Sequence, residues 1–298
     1  LTTPICAVCK TPVSFQKAKH LYIAITKLQD ELRALVDSHA NWRKNAIAFT
    51  NRYLDEGLRD RALTRDLKWG IPVPKAGYEN KTIYIWAENV LGYLSAGKMA
   101  AEARGADFGE LWGKHAKHYY VHGKDNIPFH TIILPALLLA NGDYRHLPDR
   151  IISSEYLTLE GRKISTSQNY AIWVKDLLAH YEADSIRYFF LANGPEKRDT
   201  DFSWREFVHS HNSELLGAYG NFVNRTLTFI TKYCDKIVPK GTQHLAVSKQ
   251  IDALFPSVGR KIENGAFKDA LTELFDFVRS ANKFFDTEQP WITRNTDK

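Results

Sequence analysis

The sequence predicts an α/β fold in which a short, partial parallel sheet is followed by an α-helical bundle. Three observations carry this. Strand-like and helix-like segments alternate between residues 76 and 155, the order that builds parallel βα units. Beyond Trp204, apolar residues recur at helical spacing with few breakers. The composition, 44% hydrophobic and 25% charged, is that of a globular chain and excludes disorder, a collagen-like fibre and low complexity.

Each element follows from local pattern. Residues 21–61 carry apolar positions at helical spacing (Leu28, Leu32, Leu35 and Val36, then Trp42, Ala46, Phe49, Tyr53 and Leu54). They predict two helices, broken near residues 38–41, where Ser38 or Asn41 could cap. Pro72, Pro74 and Gly77 mark a break. Residues 82–86 (TIYIW) are β-branched and aromatic and predict a strand running into a helix over 90–99. Residues 118–122 predict a second strand, 123–126 a turn, 129–140 a helix and 150–154 a third strand. Ligands of such sheets sit at the carboxyl ends of the strands, which points to Trp86 and the Gly123 turn. A polar turn over 160–169 precedes three amphipathic helices, expected at 205–234, 248–264 and 266–285.

Charge and cysteine usage narrow the setting. The net charge is +6. Thirteen Lys and Arg against seven Asp and Glu between Lys10 and Lys75 account for all of it. That permits a nucleic-acid partner on the amino side without demanding one. Three cysteines cannot build a disulfide framework, so a reducing, cytoplasmic location is expected. No apolar run approaches the roughly 18 residues of a membrane span.

Four groups of residues could carry chemistry. Cys6 and Cys9 have the spacing of half a zinc knuckle, or are two plain thiols. Gly123-Lys124-Asp125 follows a strand and opens a helix. That suits close backbone approach to an anionic ligand, with a carboxylate for sugar hydroxyls, or is simply a capped βα turn. Lys163-Ile-Ser-Thr-Ser167 beside Arg162 offers cations and hydroxyls to transferring phosphates, or is a solvated loop. Trp86, Tyr93, Phe129 and His130 could wall an apolar or thioether substrate, or serve as core.

In order, these pieces resemble the methionyl-tRNA synthetases, class I aminoacyl-tRNA synthetases. The anchors are residues 86–93 (WAENVLGY), 122–130 (HGKDNIPFH), 163–167 (KISTS), 183–188 (ADSIRY), 201–204 (DFSW), 221–225 (NFVNR) and 289–291 (QPW). The resemblance implies a Rossmann-type catalytic sheet and an anticodon-binding helical bundle. Methionine–tRNA ligase activity is implied, with methionine, ATP with Mg²⁺ and methionine tRNA as substrates. It places methionine on Trp86, Tyr93, Phe129 and His130, and the adenosine ribose on Gly123 and Asp125. The signature loop falls on Lys163, Ser165, Thr166 and Ser167, with Lys163 also on ATP, and anticodon reading on Asn221, Arg225 and Trp291. It further implies domains at 1–75 (connective, with a zinc-knuckle remnant), 76–155 (second half of the catalytic fold), 156–204 (stem contact with the signature loop) and 205–298 (anticodon bundle).

The chain departs from the family pattern in three ways. No His-x-Gly-His motif occurs in it, so the expected reading is a carboxyl-side fragment, inactive alone, of a longer ligase. The alternative is a non-catalytic tRNA-binding module. Thr166 stands where the signature loop has a second lysine, leaving Lys163 or Arg162 to supply the cation. Leu134 stands where an aromatic ring often completes the methionine pocket.

Overall fold

The computed structural model describes residues 4–7, 11–113, 115–142, 146–241 and 244–294, excepting the side chains of Trp86 and Ala87. The chain divides into two compact units, one of residues 1–40, 47–118 and 127–149, the other of 41–46, 119–126 and 150–298.

In the first unit, β1 (Tyr22–Ile23) pairs antiparallel with β2 (Arg61–Ala62), and β3 (Thr64–Arg65) with β4 (Thr82–Ile83). The helix break falls where the pattern puts it, between α1 (Gln29–Ser38) and α2 (Lys44–Asp55). α1 buries Leu32, Leu35 and Val36, the i, i+3, i+4 stripe of an amphipathic helix. Ser38 closes α1 instead of opening α2, because its hydroxyl donates back to Leu35 O at 2.8 Å.

The strand expected at 82–86 is corrected. Only Thr82 and Ile83 of this stretch form strand, and their partner β3 is antiparallel. Tyr84 N donates to Leu63 O, and α3 (Ile85–Glu88) begins at the next residue. Trp86 therefore follows an antiparallel strand and lies on a helix. α4 (Gly92–Arg104) stops at Gly105, whose left-handed φ of 62° accommodates the helix end. α5 (Phe108–Trp112) follows. Residues 129–133 form a widened π-helical turn leading into α6 (Leu134–Asn141). Pro135 has no N–H to give to the preceding turn, so the chain enters α6 through a wider one. The buried Thr131 hydroxyl donates to Ile127 O at 2.9 Å and accepts from Thr50 at 2.8 Å. Leu134 is fully buried and serves as core.

In the second unit, β5 (Tyr119–Gly123) and β6 (Arg150–Ser154) are parallel, Tyr119 facing Arg150 and Gly123 facing Ser154. β7 (Leu157–Leu159) forms a hairpin with β8 (Arg162–Lys163) and a parallel pair with β9 (Thr200–Phe202). Glu160 and Gly161 both have positive φ, 48° and 73°, the geometry of a tight hairpin turn that matches strand twist. Asp201 pins that turn by accepting from the Thr158 hydroxyl and, at 2.9 Å, from Gly161 N. α7 (Val174–His180) and α8 (Ala183–Asn193) cover this sheet, and their Leu177, Ile186 and Phe189 share a core with Leu159, Phe202 and Phe207.

α9 (Trp204–Ser210) opens on Ser203, whose Oγ accepts from Glu206 N, a Ser-x-x-Glu start. It continues through a π-helical stretch, His211–Gly220, into α10 (Asn221–Tyr233). α11 (Leu245–Glu263), α12 (Phe267–Glu288) and the short α13 (Pro290–Thr293) complete the bundle, with Ala218, Phe275 and Val278 as its core. The turn between α11 and α12 docks on β6. Gly265 has φ +70°, and a Cβ there would lie 2.8 Å from Ile152 Cδ1, so only glycine fits.

Candidate active site

Each of the two units carries its own group of candidate site residues. In the first unit α4 presents Tyr93 and the π-helical turn presents Phe129 and His130. The widened turn buries His130 to 6% exposure and aims Nε2 at Tyr93 Oη, 2.9 Å away. The rings lie 5.8 Å apart. Either tautomer satisfies this bond. Phe129 lines a cavity of about 600 Å³ with Tyr53, Tyr84, Ile133 and Arg65. The Arg65 guanidinium stacks on the Tyr84 ring at 3.6 Å and donates to Ala62 O and Thr64 O. This placement was not anticipated, because Arg65 and Phe129 are separated by sixty-odd residues of sequence. Trp86 takes its place on α3, but its side chain lies outside the described residues.

In the second unit the turn after β5 lies at the carboxyl end of the parallel pair, where βα sheets bind ligands. Nothing lies within 4 Å of the position a Gly123 Cβ would take, so the backbone is open to close approach. Asp125 is exposed and accepts from the Tyr156 hydroxyl, which raises the phenol's pKa, chiefly through that bond. Asp125 has no other hydrogen-bond partner among the described residues. Lys124 turns away and bridges Glu155 at 2.7 Å and Asp199 at 2.8 Å. Hydrogen bonds to Asp199 and then Glu155 raise its ammonium above the ordinary lysine range. The bond from Lys124 in turn lowers Asp199 below the usual carboxylate range.

The loop 163–167 is a small hairpin. Ser165 and Tyr170 exchange backbone bonds of 2.9 Å, Asn169 N donates to Thr166 O, and Tyr170 Oη donates to Leu159 O at 2.8 Å. Ser165 and Ser167 hydroxyls are 3.2 Å apart. Of the two candidate cations, Arg162 lies over the Tyr170 ring at 3.9 Å. Lys163 is exposed and makes no side-chain hydrogen bond or ion pair with the described residues.

On the bundle, Arg225 of α10 pairs with Asp286 and lies over Phe285, 4.7 Å from the ring centre. Phe285 in turn meets Trp291 at 6.0 Å. Arg225 and Trp291 thus share one aromatic surface, with Asn221 one turn before Arg225 on the same helix. Cys6 sits in a short hairpin, its N–H donating to Thr11 O at 2.9 Å. Cys9 lies outside the described residues, and among them no three His, Cys, Asp or Glu side chains gather to hold a metal.

Comparison with known proteins gives this arrangement its class. Residues 1–227 match the family described as tRNA synthetases class I (M), and the chain belongs to that family of aminoacyl-tRNA synthetases. Its curated relatives are methionine–tRNA ligases. It is 55% identical over 295 residues to the enzyme of Bacillus mycoides strain KBAB4, a match covering 98% of this chain and 54% of the relative. It is 52% identical over 293 residues to methionine–tRNA ligase 1 of Alkaliphilus oremlandii strain OhILAs, again 98% and 54%. The chain therefore spans about half the length of these relatives. Among solved structures it is similar to Mycobacterium tuberculosis methionyl-tRNA synthetase bound by methionyl-adenylate, with TM-score 0.84 and 23% identity over 99% of this chain and 58% of that one. A second structure of that enzyme with methionyl-adenylate gives TM-score 0.85 at 24% identity, with the same coverage. At this identity the likeness establishes the fold, a small parallel sheet with a helical bundle.

Proposed function

We propose that this chain is part of a methionine–tRNA ligase, which joins methionine to ATP as methionyl-adenylate and then transfers it to the terminal ribose of methionine tRNA. The observation that carries this reading is the 55% identity to such a ligase across 98% of the chain. The geometry supports it residue by residue. Tyr93, Phe129 and His130 are suited to a flexible thioether, whose methyl and sulfur aromatic faces can take, and Trp86 is assigned to the same pocket by the family resemblance. Gly123 and Asp125 hold the adenosine ribose, the open carboxylate oxygen accepting from sugar hydroxyls. As methionine's carboxylate attacks the α-phosphorus and pyrophosphate leaves, Lys163 and the hydroxyls of Ser165, Thr166 and Ser167 meet the growing charge. The free ammonium of Lys163 takes the part that Thr166 cannot. Mg²⁺ enters with ATP as part of the substrate. Asn221, Arg225 and Trp291 read the anticodon, the ring stacking on a splayed base and the polar pair bonding to base edges. Such an enzyme works in the cytoplasm, where its tRNA is.

The sequence contains no His-x-Gly-His motif to complete the phosphate site, so the 298-residue chain alone is expected to form no adenylate. Methionine-dependent exchange of pyrophosphate into ATP tests both points. The full-length parent should catalyse it and the isolated chain should not. A parent that responds to another amino acid, or to none, would overturn the reading.

A further inference from the structure

Asp125 is oriented by its neighbours. Its one hydrogen-bond partner among the described residues is the phenol of Tyr156, a residue 47% exposed in the two-residue link between β6 and β7. Such a tyrosine on a solvated link would ordinarily be free to rotate. Here it is held at two points besides the phenol. Its backbone N–H donates to Asp199 at 2.8 Å. Its ring lies under the Lys124 ammonium, 3.9 Å from the centroid. That ammonium is itself fixed between Glu155 and Asp199. The ring is fixed before it meets the carboxylate, so the phenol proton occupies one side of Asp125 and leaves the other for a ligand. Lys124, immediately before Asp125, is consumed in this clamp and does not extend toward phosphates.

We propose that Tyr156 is a positioning residue for ATP, with Lys124 bracing its ring. By donating to Asp125 it sets the rotamer in which the carboxylate grips the ribose hydroxyls. The inference rests on the reading of Asp125 as the ribose ligand. It adds that ribose selectivity belongs to the Tyr156–Asp125 pair.

The test uses the full-length parent enzyme and methionine-dependent pyrophosphate exchange, with ATP and 2′-deoxy-ATP as alternative substrates. Tyr156→Phe removes one oxygen and keeps the ring under Lys124. It should raise KM for ATP about three- to tenfold, the range of one ordinary hydrogen bond in net terms. KM for methionine and kcat should stay within about twofold. KM for deoxy-ATP, which keeps only the 3′ hydroxyl, should rise by less, so that discrimination between the two nucleotides falls. Lys124→Met, which leaves the ring unbraced, should move ATP in the same direction by less. Equal weakening toward ATP and deoxy-ATP in Tyr156→Phe would overturn the proposal, because the effect would then not pass through the ribose. An unchanged KM for ATP would also overturn it. A wild-type parent inert toward methionine would instead remove the functional reading, an outcome distinct from either.

Discussion

Replacing Arg43 by alanine should destabilise the protein by about 3 kcal/mol, and the structure supplies the reason. The side chain is 13% exposed. Its guanidinium donates to Ser153 O at 3.1 Å, to Glu196 O at 3.3 Å and to Gly265 O at 2.7 Å, and faces the Glu196 carboxylate at 3.9 Å. These carbonyls belong to β6, to the loop after α8 and to the turn between α11 and α12. One side chain therefore ties three distant segments together. Each bond contributes about 1 kcal/mol net, and each buried carbonyl left unpaired costs about 1–3 kcal/mol. Against this stands the burial of the charge, which lowers the Arg43 pKa more strongly than Glu196 raises it. Removing it returns part of the loss, which is why the figure sits near the simple bond sum. Urea unfolding of the parent would give the free energy, and amide exchange at Ile151 and Gly265 would show whether the turn loosens. Arg43→Lys, with one ammonium for three acceptors, should recover about half. A loss below about 1 kcal/mol in Arg43→Ala, or equal losses in both variants, would refute the three-way tie.

Other predictions concern single features. Gly265→Ala should cost about 2–4 kcal/mol in the same experiment, from a left-handed backbone and the clash with Ile152. Lys163→Ala in the parent should lower kcat for pyrophosphate exchange about 100-fold or more, and Arg162→Ala less than about threefold, since of these two cations Arg162 is held over Tyr170 and Lys163 has no side-chain partner among the described residues. Burial first, and then the Glu214 charge, push the Tyr188 phenol up to about 12. The native state keeps this proton after the unfolded chain has lost it. Its stabilising contribution is thus whole below about pH 10 and is lost as pH rises toward 12. Phenolate absorbance should show the late titration, and Tyr188→Phe should remove that part of the alkaline loss.

The legible parts of this structure are those whose cause is local. The break between α1 and α2, the stripe Leu32, Leu35, Val36 and the helices of the bundle all follow from spacing, and the structure places them within a few residues of expectation. The turn after β5 was legible because strand, glycine and helix are contiguous. Residues 82–86 misled because β-branched and aromatic residues indicate strand wherever they cluster. Where the ladder stops is decided by the partner, Leu63, some twenty residues earlier. Tyr156 and Asp199 were illegible for the same reason. A tyrosine next to Glu155 has no pattern that marks it. Only the pairing of β5 with β6 and of β7 with β9 brings positions 124, 156 and 199 together. Arg225 and Trp291 were singled out through a family resemblance. The Asp286 and Phe285 that hold Arg225 were not, since they face it across the bundle from α12.

Charging of tRNA tests the central claim most directly. The full-length parent should attach labelled methionine to methionine tRNA in the presence of ATP, and the Lys163→Ala parent should fall behind by about two orders of magnitude. Attachment of a different amino acid, or charging indifferent to Lys163, would contradict the account.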